Sequence, residues 1–152
     1  YYTPHEEYSC TVTIMSGLPG SGKDTWLSDH RSHLPTVSLD AIRKQLGVDA
    51  AKDQGKVAQY AKECCKNLLR SQVSFSLNAT NTTRLVRQRW IDLCADYGAK
   101  IEIVYLEPEF RTLLRQNNSR DSNVPESIVR KLASKSEPPT WTECHRLLMA
   151  AT

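Results

Sequence analysis

A glycine-rich loop that ends in a lysine follows directly after an apolar run near the start of the chain. The loop spans residues 17–25 (Gly-Leu-Pro-Gly-Ser-Gly-Lys-Asp-Thr), and the apolar run covers residues 12–15. Because glycine has no Cβ, the backbone of such a loop can turn its N–H groups inward around an anion. A helix that begins near Lys23 would add the positive end of its dipole. This order of strand, loop and helix predicts a cradle for the phosphates of a nucleoside triphosphate.

The end of the loop indicates how phosphates and a metal ion would be held. Lys23 can reach the β and γ phosphates. The usual pattern has Ser or Thr after the lysine to hold Mg²⁺, whereas this chain has Asp24 followed by Thr25. A carboxylate is also a hard oxygen ligand, so we predict Mg²⁺ or Mn²⁺ at these two residues and a strict need for divalent metal. The alternative is a strand-to-helix turn that binds no ligand. The residues expected to bind ATP or another NTP are Gly17, Gly20, Ser21, Gly22, Lys23, Asp24, Thr25 and, from a later segment, Arg115.

Length and composition indicate one domain over residues 1–152, with residues 1–9 as a leader or linker. Of the 152 residues, 39% are hydrophobic and 24% are charged, and the net charge of +3 is too small to indicate nucleic acid by itself. No apolar stretch approaches the roughly 20 residues of a membrane span. Five cysteines without a C-x-x-C pair favour a reduced, cytoplasmic compartment. Because Tyr1 rather than Met begins the chain, we expect a domain excised from a larger protein.

Strand and helix patterns alternate along the chain, which predicts an α/β fold with a parallel sheet of about four strands and helices on both faces. The tail after Glu137 is expected to pack as a short segment. The predicted strands cover residues 10–16, 35–39, 73–77 and 100–106, and the predicted helices cover about residues 23–32, 40–46, 54–70, 83–97, 109–118 and 125–135.

Ligands of such sheets bind beyond the carboxyl ends of the strands, and Asp40 and Arg43 follow the second predicted strand. Their i, i+3 spacing lets both side chains point to the rim that carries the phosphate loop. A carboxylate there can accept the proton of an attacking hydroxyl, while a guanidinium can bind a phosphate of the acceptor. The alternative is that Asp40 only caps its helix and that Arg43 is a solvated surface charge.

Asparagines end the third predicted strand, at Asn78 and Asn81. They are candidates to contact the acceptor or the waters of a metal ion, although a turn that only caps the next helix explains them equally well. In the helix that follows, Arg84, Arg87 and Arg89 could contact a nucleic-acid backbone or form a solvated helix face.

Two arginines flank a polar stretch between two later predicted helices. Arg115 and Arg120 enclose Gln-Asn-Asn-Ser, as in a lid that lowers arginines over a transferring phosphoryl group. Such arginines stabilise the charge of the transition state, while surface arginines without function are the alternative.

With these motifs in order, the chain resembles the kinase domain of the polynucleotide 5′-hydroxyl kinases, the P-loop enzymes of end healing, from about residue 11 to residue 143. The likeness is carried by the loop with its following Thr-Trp, the Asp-x-x-Arg element at residues 40–43, Ala-Thr-Asn at residues 79–81, and the lid with Val-Pro at residues 124–125. The resemblance implies a P-loop kinase fold with an arginine-bearing helical lid. It implies that Asp40 is the general base, that Arg43 contacts the phosphate 3′ of the terminal nucleoside, and that Arg120, with Arg115, stabilises the γ-phosphoryl group.

Two departures make the chain most similar to a bacterial subgroup of that family. Asp24 replaces the serine of the phage enzymes, and Asn78 replaces an aspartate of many relatives. In this subgroup the kinase is joined to an HD-type phosphohydrolase domain, which would be absent from this chain. The function so implied is transfer of the γ-phosphate of an NTP to the 5′-OH end of RNA or DNA in nucleic-acid repair. A small-molecule kinase acting on a nucleoside, sugar or antibiotic and a non-catalytic nucleotide-binding module remain the alternatives.

Overall fold

The computed structural model describes residues 7–47, 54–120 and 124–150 and has a five-stranded parallel sheet with the order β2-β3-β1-β4-β5. Helices connect the strands, so the predicted α/β fold is confirmed. The strands are β1 (Thr11–Ser16), β2 (Thr36–Ser38), β3 (Phe75–Asn78), β4 (Lys100–Leu106) and β5 (Arg146–Ala150). The helices are α1 (Lys23–His30), α2 (Leu39–Leu46), α3 (Gln54–Arg70), α4 (Arg84–Asp96), α5 (Phe110–Asn118) and α6 (Glu126–Ser134), with a short 3₁₀ helix at Trp141–Glu143.

The fifth strand corrects the predicted number of about four strands. The tail expected to pack as a short segment forms β5, which pairs in parallel with β4 from Glu102–Arg146 to Leu106–Ala150. Its apolar residues are Leu, Met and Ala, which have no strong preference for strands over helices, and its side chains are exposed or only half-buried. An edge strand of this composition is identified by its neighbour rather than by its own pattern.

The central strands are buried because the sheet is covered on both faces. Successive side chains of a strand point to opposite faces, and accordingly Val12 and Ile14 of β1 belong to one apolar cluster while Met15 belongs to another. The larger cluster lies under α2, α3 and α4, and the smaller one includes Leu27 of α1. With both faces covered, the carboxyl ends of the strands form the rim that stays open to ligands.

The five cysteines are free thiols that pack into or against the larger cluster. Burial raises the pKa of Cys65 and of Cys94 to about 12, so these two thiols are inert fillers of the core. None of the helices in the described residues is long and apolar enough to cross a bilayer.

Candidate active site

At two positions the glycine loop adopts a backbone conformation that favours glycine. Gly20 and Gly22 have φ angles of 86° and 97°, in the left-handed region. A Cβ on Gly20 would lie 2.7 Å from the backbone nitrogen of Asn117, and one on Gly17 would lie 2.5 Å from Oγ of Ser21. Gly22 precedes α1 and has no side chain that could cap the helix. The first N–H groups of α1 are therefore available to an anion.

Lys23 is half-buried against this loop. Its Nζ donates hydrogen bonds to the carbonyl oxygens of Gly17 at 2.9 Å and Leu18 at 3.0 Å. Desolvation, followed by the positive charge of Arg120, lowers the pKa of Lys23 to about 8, while Asp40 and Asp24 act in the opposite direction. The ammonium therefore lies within electrostatic reach of the lid arginine and of both cleft carboxylates. Bound phosphates would supply the negative charge that this cation lacks.

The loop opens into a cleft with a volume of about 560 Å³ that brings most of the predicted site residues together. Its polar lining comes from the loop, from the ends of β2 and β3, and from the lid. The predicted residues that line the cleft are Gly20, Gly22, Lys23, Asp24, Thr25, Asp40, Arg43, Asn78, Asn81 and Arg120.

Asp40 lies between two guanidinium groups in the cleft. Its Oδ1 accepts a hydrogen bond from Arg43 at 2.5 Å, and its Oδ2 accepts one from Arg120 at 3.2 Å across the cleft. Ser38, not Asp40, caps α2, because the Ser38 hydroxyl accepts from the backbone N–H of Ala41. The interpretation of Asp40 as a helix cap is therefore excluded. Asp40 is therefore a carboxylate that can accept a proton, with a guanidinium group on each of its two oxygens.

The carboxylate of Asp24 contacts the end of β3. Asn78 donates from Nδ2 to Asp24 Oδ1 at 2.5 Å, and Thr25 follows on the exposed first turn of α1. No cluster of three or more His, Cys, Asp or Glu that could hold a metal occurs in the described residues. Mg²⁺ is commonly held by one or two carboxylates together with water and substrate phosphates. The donor set of Asp24 and Thr25 beside the phosphate loop fits such an ion.

Arg87 was predicted to contact the acceptor, but the structure places its side chain inside the protein. Its side chain has 0% exposure, and its Nε donates to Glu143 Oε1 at 2.8 Å. The prediction was wrong because Arg87 shares a face of α4 with the buried residues Trp90, Ile91 and Cys94, at the helical spacings i+3, i+4 and i+7. This spacing was the available signal that the side chain points into the protein.

Asn81 lines the cleft but is almost wholly buried, with 1% exposure. Its Nδ2 donates to the carbonyl oxygen of Met15 at the end of β1, at 2.8 Å. Its backbone has a φ of 45°, which is unusual for a residue with a Cβ. Asn81 therefore has a structural contact to the strand before the phosphate loop, and substrate contact by Asn81 stays a prediction.

The lid presents a different set of side chains from the predicted pair of arginines. Arg120 lines the cleft, whereas Arg115 is exposed and is not part of the cleft lining. Gln116 and Ser119 line the cleft instead. Nucleotide contact by Arg115 stays a prediction.

Comparison with known proteins agrees with this fold. A family model described as an AAA domain (AAA_33) matches residues 12–139, and the chain therefore belongs to this family. The chain is 21% identical over 137 residues to an L-seryl-tRNA(Sec) kinase of Methanococcus maripaludis, covering 84% of this chain and 53% of that protein. It is 25% identical over 138 residues to a bifunctional polynucleotide phosphatase/kinase of Schizosaccharomyces pombe, covering 87% of this chain and 31% of that protein. The chain thus spans at most about half the length of these relatives.

Solved structures share the fold. A chain of the Pnkp1/Rnl/Hen1 RNA repair complex aligns with a TM-score of 0.75 at 18% identity, covering 85% of this chain and 44% of that chain. A gluconokinase from Sinorhizobium meliloti aligns with a TM-score of 0.63 at 14% identity, covering 95% of this chain and 84% of that chain. The fold of this chain is the α/β fold of its P-loop kinase neighbours.

Proposed function

We propose that this domain is a polynucleotide 5′-hydroxyl kinase, which transfers the γ-phosphate of ATP or another NTP to the 5′-OH end of RNA or DNA. The observation that carries the proposal is the place of Asp40. It lies in the same cleft as Lys23 and is bound by Arg43 from its own helix and by Arg120 from the lid. A hydroxyl that enters this cleft would meet both a carboxylate and the residues of the phosphate loop.

Each side chain has a task in the proposed transfer. Asp40 accepts the proton of the 5′-OH as that oxygen forms its bond to the γ-phosphorus, while the bond from the γ-phosphorus to the bridging oxygen breaks and the NDP leaves. Lys23 and Arg120 stabilise the negative charge that develops on the phosphoryl oxygens in the transition state. Arg43 binds the phosphate on the 3′ side of the terminal nucleoside. Mg²⁺, held from Asp24 and Thr25, would neutralise charge on the phosphates.

The ion pair between Asp40 and Arg120 can break when a substrate binds in the cleft. Asp40 and Arg120 have side-chain exposures of 55% and 26%, and exposed pairs of this kind contribute about 1 kcal/mol or less to stability. A triphosphate can therefore draw Arg120 away from Asp40 at small cost, which leaves the carboxylate open to the hydroxyl. The lid arginine and the base are then released by the same event.

Two of the similar proteins support this choice of acceptor. One curated relative is a polynucleotide phosphatase/kinase, and one structural neighbour belongs to an RNA repair complex. Because this chain spans only part of these proteins, their further activities are not carried over. A covalently linked HD-type phosphohydrolase domain and a cytoplasmic location stay predictions from the sequence.

Labelling of matched oligonucleotides tests the proposal. The protein is incubated with γ-labelled ATP or GTP, Mg²⁺, and 5′-OH RNA and DNA of one sequence, with 5′-phosphorylated oligomers as the blank. We expect label on the 5′-OH ends and a loss of about 10³-fold in the Asp40→Asn variant, since a general base contributes about 10² to 10⁴. Asp96→Asn, at an exposed carboxylate near the end of α4, is the matched control. Unchanged labelling by Asp40→Asn contradicts the role of Asp40.

A small-molecule kinase is the second candidate, and the gluconokinase neighbour together with the size of the cleft favours it. A volume of about 560 Å³ lies within the range of small-ligand sites. Acceptor length separates the two functions, because Arg43 has a phosphate to bind only if the acceptor carries one on its 3′ side. Equal transfer to a nucleoside and to its 3′-phosphate, or transfer to gluconate alone, would replace the polynucleotide proposal. Nucleotide binding without transfer to any acceptor would indicate a non-catalytic module.

A further inference from the structure

Arg87 is a buried cation that the proposed chemistry does not use. Its side chain and that of Glu143 have exposures of 0% and 1%. A guanidinium so far from water is retained only where its N–H groups are paired. Nε and one terminal nitrogen donate to the two carboxylate oxygens of Glu143, at 2.8 and 3.4 Å. The other terminal nitrogen leaves this pair and donates to the carbonyl oxygen of Asn81, at 3.0 Å.

Glu143 fixes the position of this guanidinium from the far end of the chain. It lies in the 3₁₀ helix Trp141–Glu143, and its Oε2 accepts the backbone N–H of Thr140 at 2.8 Å. Although burial alone would raise it, hydrogen bonds from Arg87 and from the Thr140 backbone hold the pKa of Glu143 below its usual value. Glu143 is thus a carboxylate anchored to the segment that leads into β5.

The carbonyl group that Arg87 holds belongs to the turn that supports the phosphate loop. The same oxygen of Asn81 accepts the hydroxyl of Ser16 at 2.9 Å, while the Asn81 amide donates to Met15 at 2.8 Å. One residue earlier, the carbonyl oxygen of Thr80 accepts the N–H of Gly17 at 2.8 Å. The last residues of β1 and the first glycine of the loop are therefore bound to residues 80–81.

The turn at residues 80–81 needs stabilising contacts because Asn81 has a positive φ angle. Asn81 has a φ of 45°, a conformation that a residue with a Cβ adopts at a cost. Three hydrogen bonds hold Asn81 in this conformation. Its side-chain amide donates to the carbonyl oxygen of Met15, and its backbone carbonyl oxygen accepts from Ser16 and from Arg87. Ser16 and Met15 belong to β1, the strand that leads into the phosphate loop. Of these three hydrogen bonds, the one from Arg87 therefore comes from a different element, α4.

We propose that Arg87, oriented by Glu143, is a positioning residue for the phosphate loop. Through the Asn81 carbonyl group it holds the turn after β3, and the turn holds the end of β1 and Gly17 in the geometry that binds phosphate. Arg87 itself does not touch the nucleotide. The inference rests on the nucleotide binding of the proposed function and is independent of the acceptor.

A double substitution separates this role from a purely structural one. Replacing one member of a buried ion pair leaves an unpaired charge, whereas replacing both by apolar residues of similar volume is often neutral for stability. Arg87→Met should lower the Tm by on the order of 10 °C. In Arg87→Met with Glu143→Leu the Tm should recover most of that loss. The Asn81 carbonyl group keeps the Ser16 donor but still lacks the Arg87 donor there, so the Kd for Mg·ADP should stay about tenfold weaker than that of the unchanged protein.

Binding of Mg·ADP is measured by calorimetry at a temperature well below each Tm, and the fold by circular dichroism. Lys66→Met, which removes the cation of a partly exposed pair on α3, should alter neither the Tm nor the Kd. Arg87→Lys is a third variant that keeps a cation beside Glu143 but replaces the three guanidinium nitrogens that span Glu143 and Asn81 by a single ammonium nitrogen, and its affinity should also fall. Any folded Arg87 variant that binds Mg·ADP as tightly as the unchanged protein overturns the proposal. Because no acceptor is present, failure of the polynucleotide activity would leave this result unaffected.

Discussion

Two arginine–carboxylate pairs of this domain use the same groups in opposite surroundings. Arg87 and Glu143 are enclosed, with exposures of 0% and 1%, while Arg120 and Asp40 are open to solvent, with exposures of 26% and 55%. The enclosed pair joins α4 to the segment before β5, and the open pair joins the lid to α2 across the cleft. Burial therefore decides which pair can change partners and which holds the fold.

The free energies of the two environments explain the difference. An exposed pair contributes about 0 to 1 kcal/mol because water and salt screen it. Removing one member of a buried pair costs about 3 to 5 kcal/mol because a charge is left without a partner in a dry interior. The open pair can thus yield to phosphates during each turnover, whereas the enclosed pair must stay intact.

Loss of Arg120 should produce the largest effect on transfer. We expect Arg120→Ala to lower kcat by on the order of 10³-fold, the scale of an arginine that stabilises the phosphoryl transition state. The free energy of unfolding should change by less than about 1 kcal/mol, because the pair with Asp40 is exposed. Steady-state kinetics and urea unfolding measure the two quantities. Arg130→Ala, at an exposed arginine of α6, is the control, and an equal loss there would mean that surface charge in general matters.

Loss of Glu143 should show the reverse pattern. Glu143→Ala leaves the Arg87 guanidinium buried without its carboxylate and should lower the free energy of unfolding by about 3 kcal/mol or more. Asp40→Ala should lower it by less than about 1 kcal/mol. Glu126→Ala, in an exposed pair on α6, provides the surface reference. If urea unfolding gave equal losses for Glu143→Ala and Asp40→Ala, burial would not be what distinguishes the two pairs.

The sequence distinguishes these two pairs only in part. Asp40 is identified because the carboxyl end of a parallel strand is a local, readable position. Glu143 is not, since it lies 56 residues after Arg87 and only the fold brings them together. The buried side of Arg87 could be predicted from the helical spacing of Trp90, Ile91 and Cys94, but its partner could not.

The same limit applies to the fold. The strands β1 and β4 are predicted almost to the residue because long apolar runs bounded by turns are typical of buried parallel strands. β5 escapes prediction because Leu, Met and Ala at a sheet edge carry little strand preference and depend on β4 for their conformation. Tertiary partners, rather than local patterns, determine both β5 and the pair of Arg87 with Glu143.

The glycine loop makes one close contact with α5 at Gly20. A Cβ on Gly20 would meet the backbone nitrogen of Asn117 at 2.7 Å and the carbonyl oxygen of Leu113 at 2.8 Å. Gly47 has a similar positive φ of 67°, but a Cβ there would meet no atom within 4 Å among the described residues. Gly20→Ala should therefore cost about 2 kcal/mol more than Gly47→Ala, because both share the backbone strain and only Gly20 adds the clash. Equal losses in urea unfolding would mean that α5 can move away freely.

The smallest expected effect is a pH dependence of nucleotide affinity, which comes from Lys23 beside Arg120 of the exposed pair. Desolvation and the charge of Arg120 lower the pKa of Lys23 to about 8, and bound phosphates favour the protonated form. Affinity for Mg·ADP should therefore be highest below pH 8 and fall above it, by about tenfold between pH 7.5 and pH 9. Calorimetry in buffers of different ionisation enthalpy should detect proton uptake on binding. Lys23→Arg stays charged over this range, so its affinity should vary little with pH, and a fall as steep as that of the unchanged protein would place the titrating group elsewhere in the cleft.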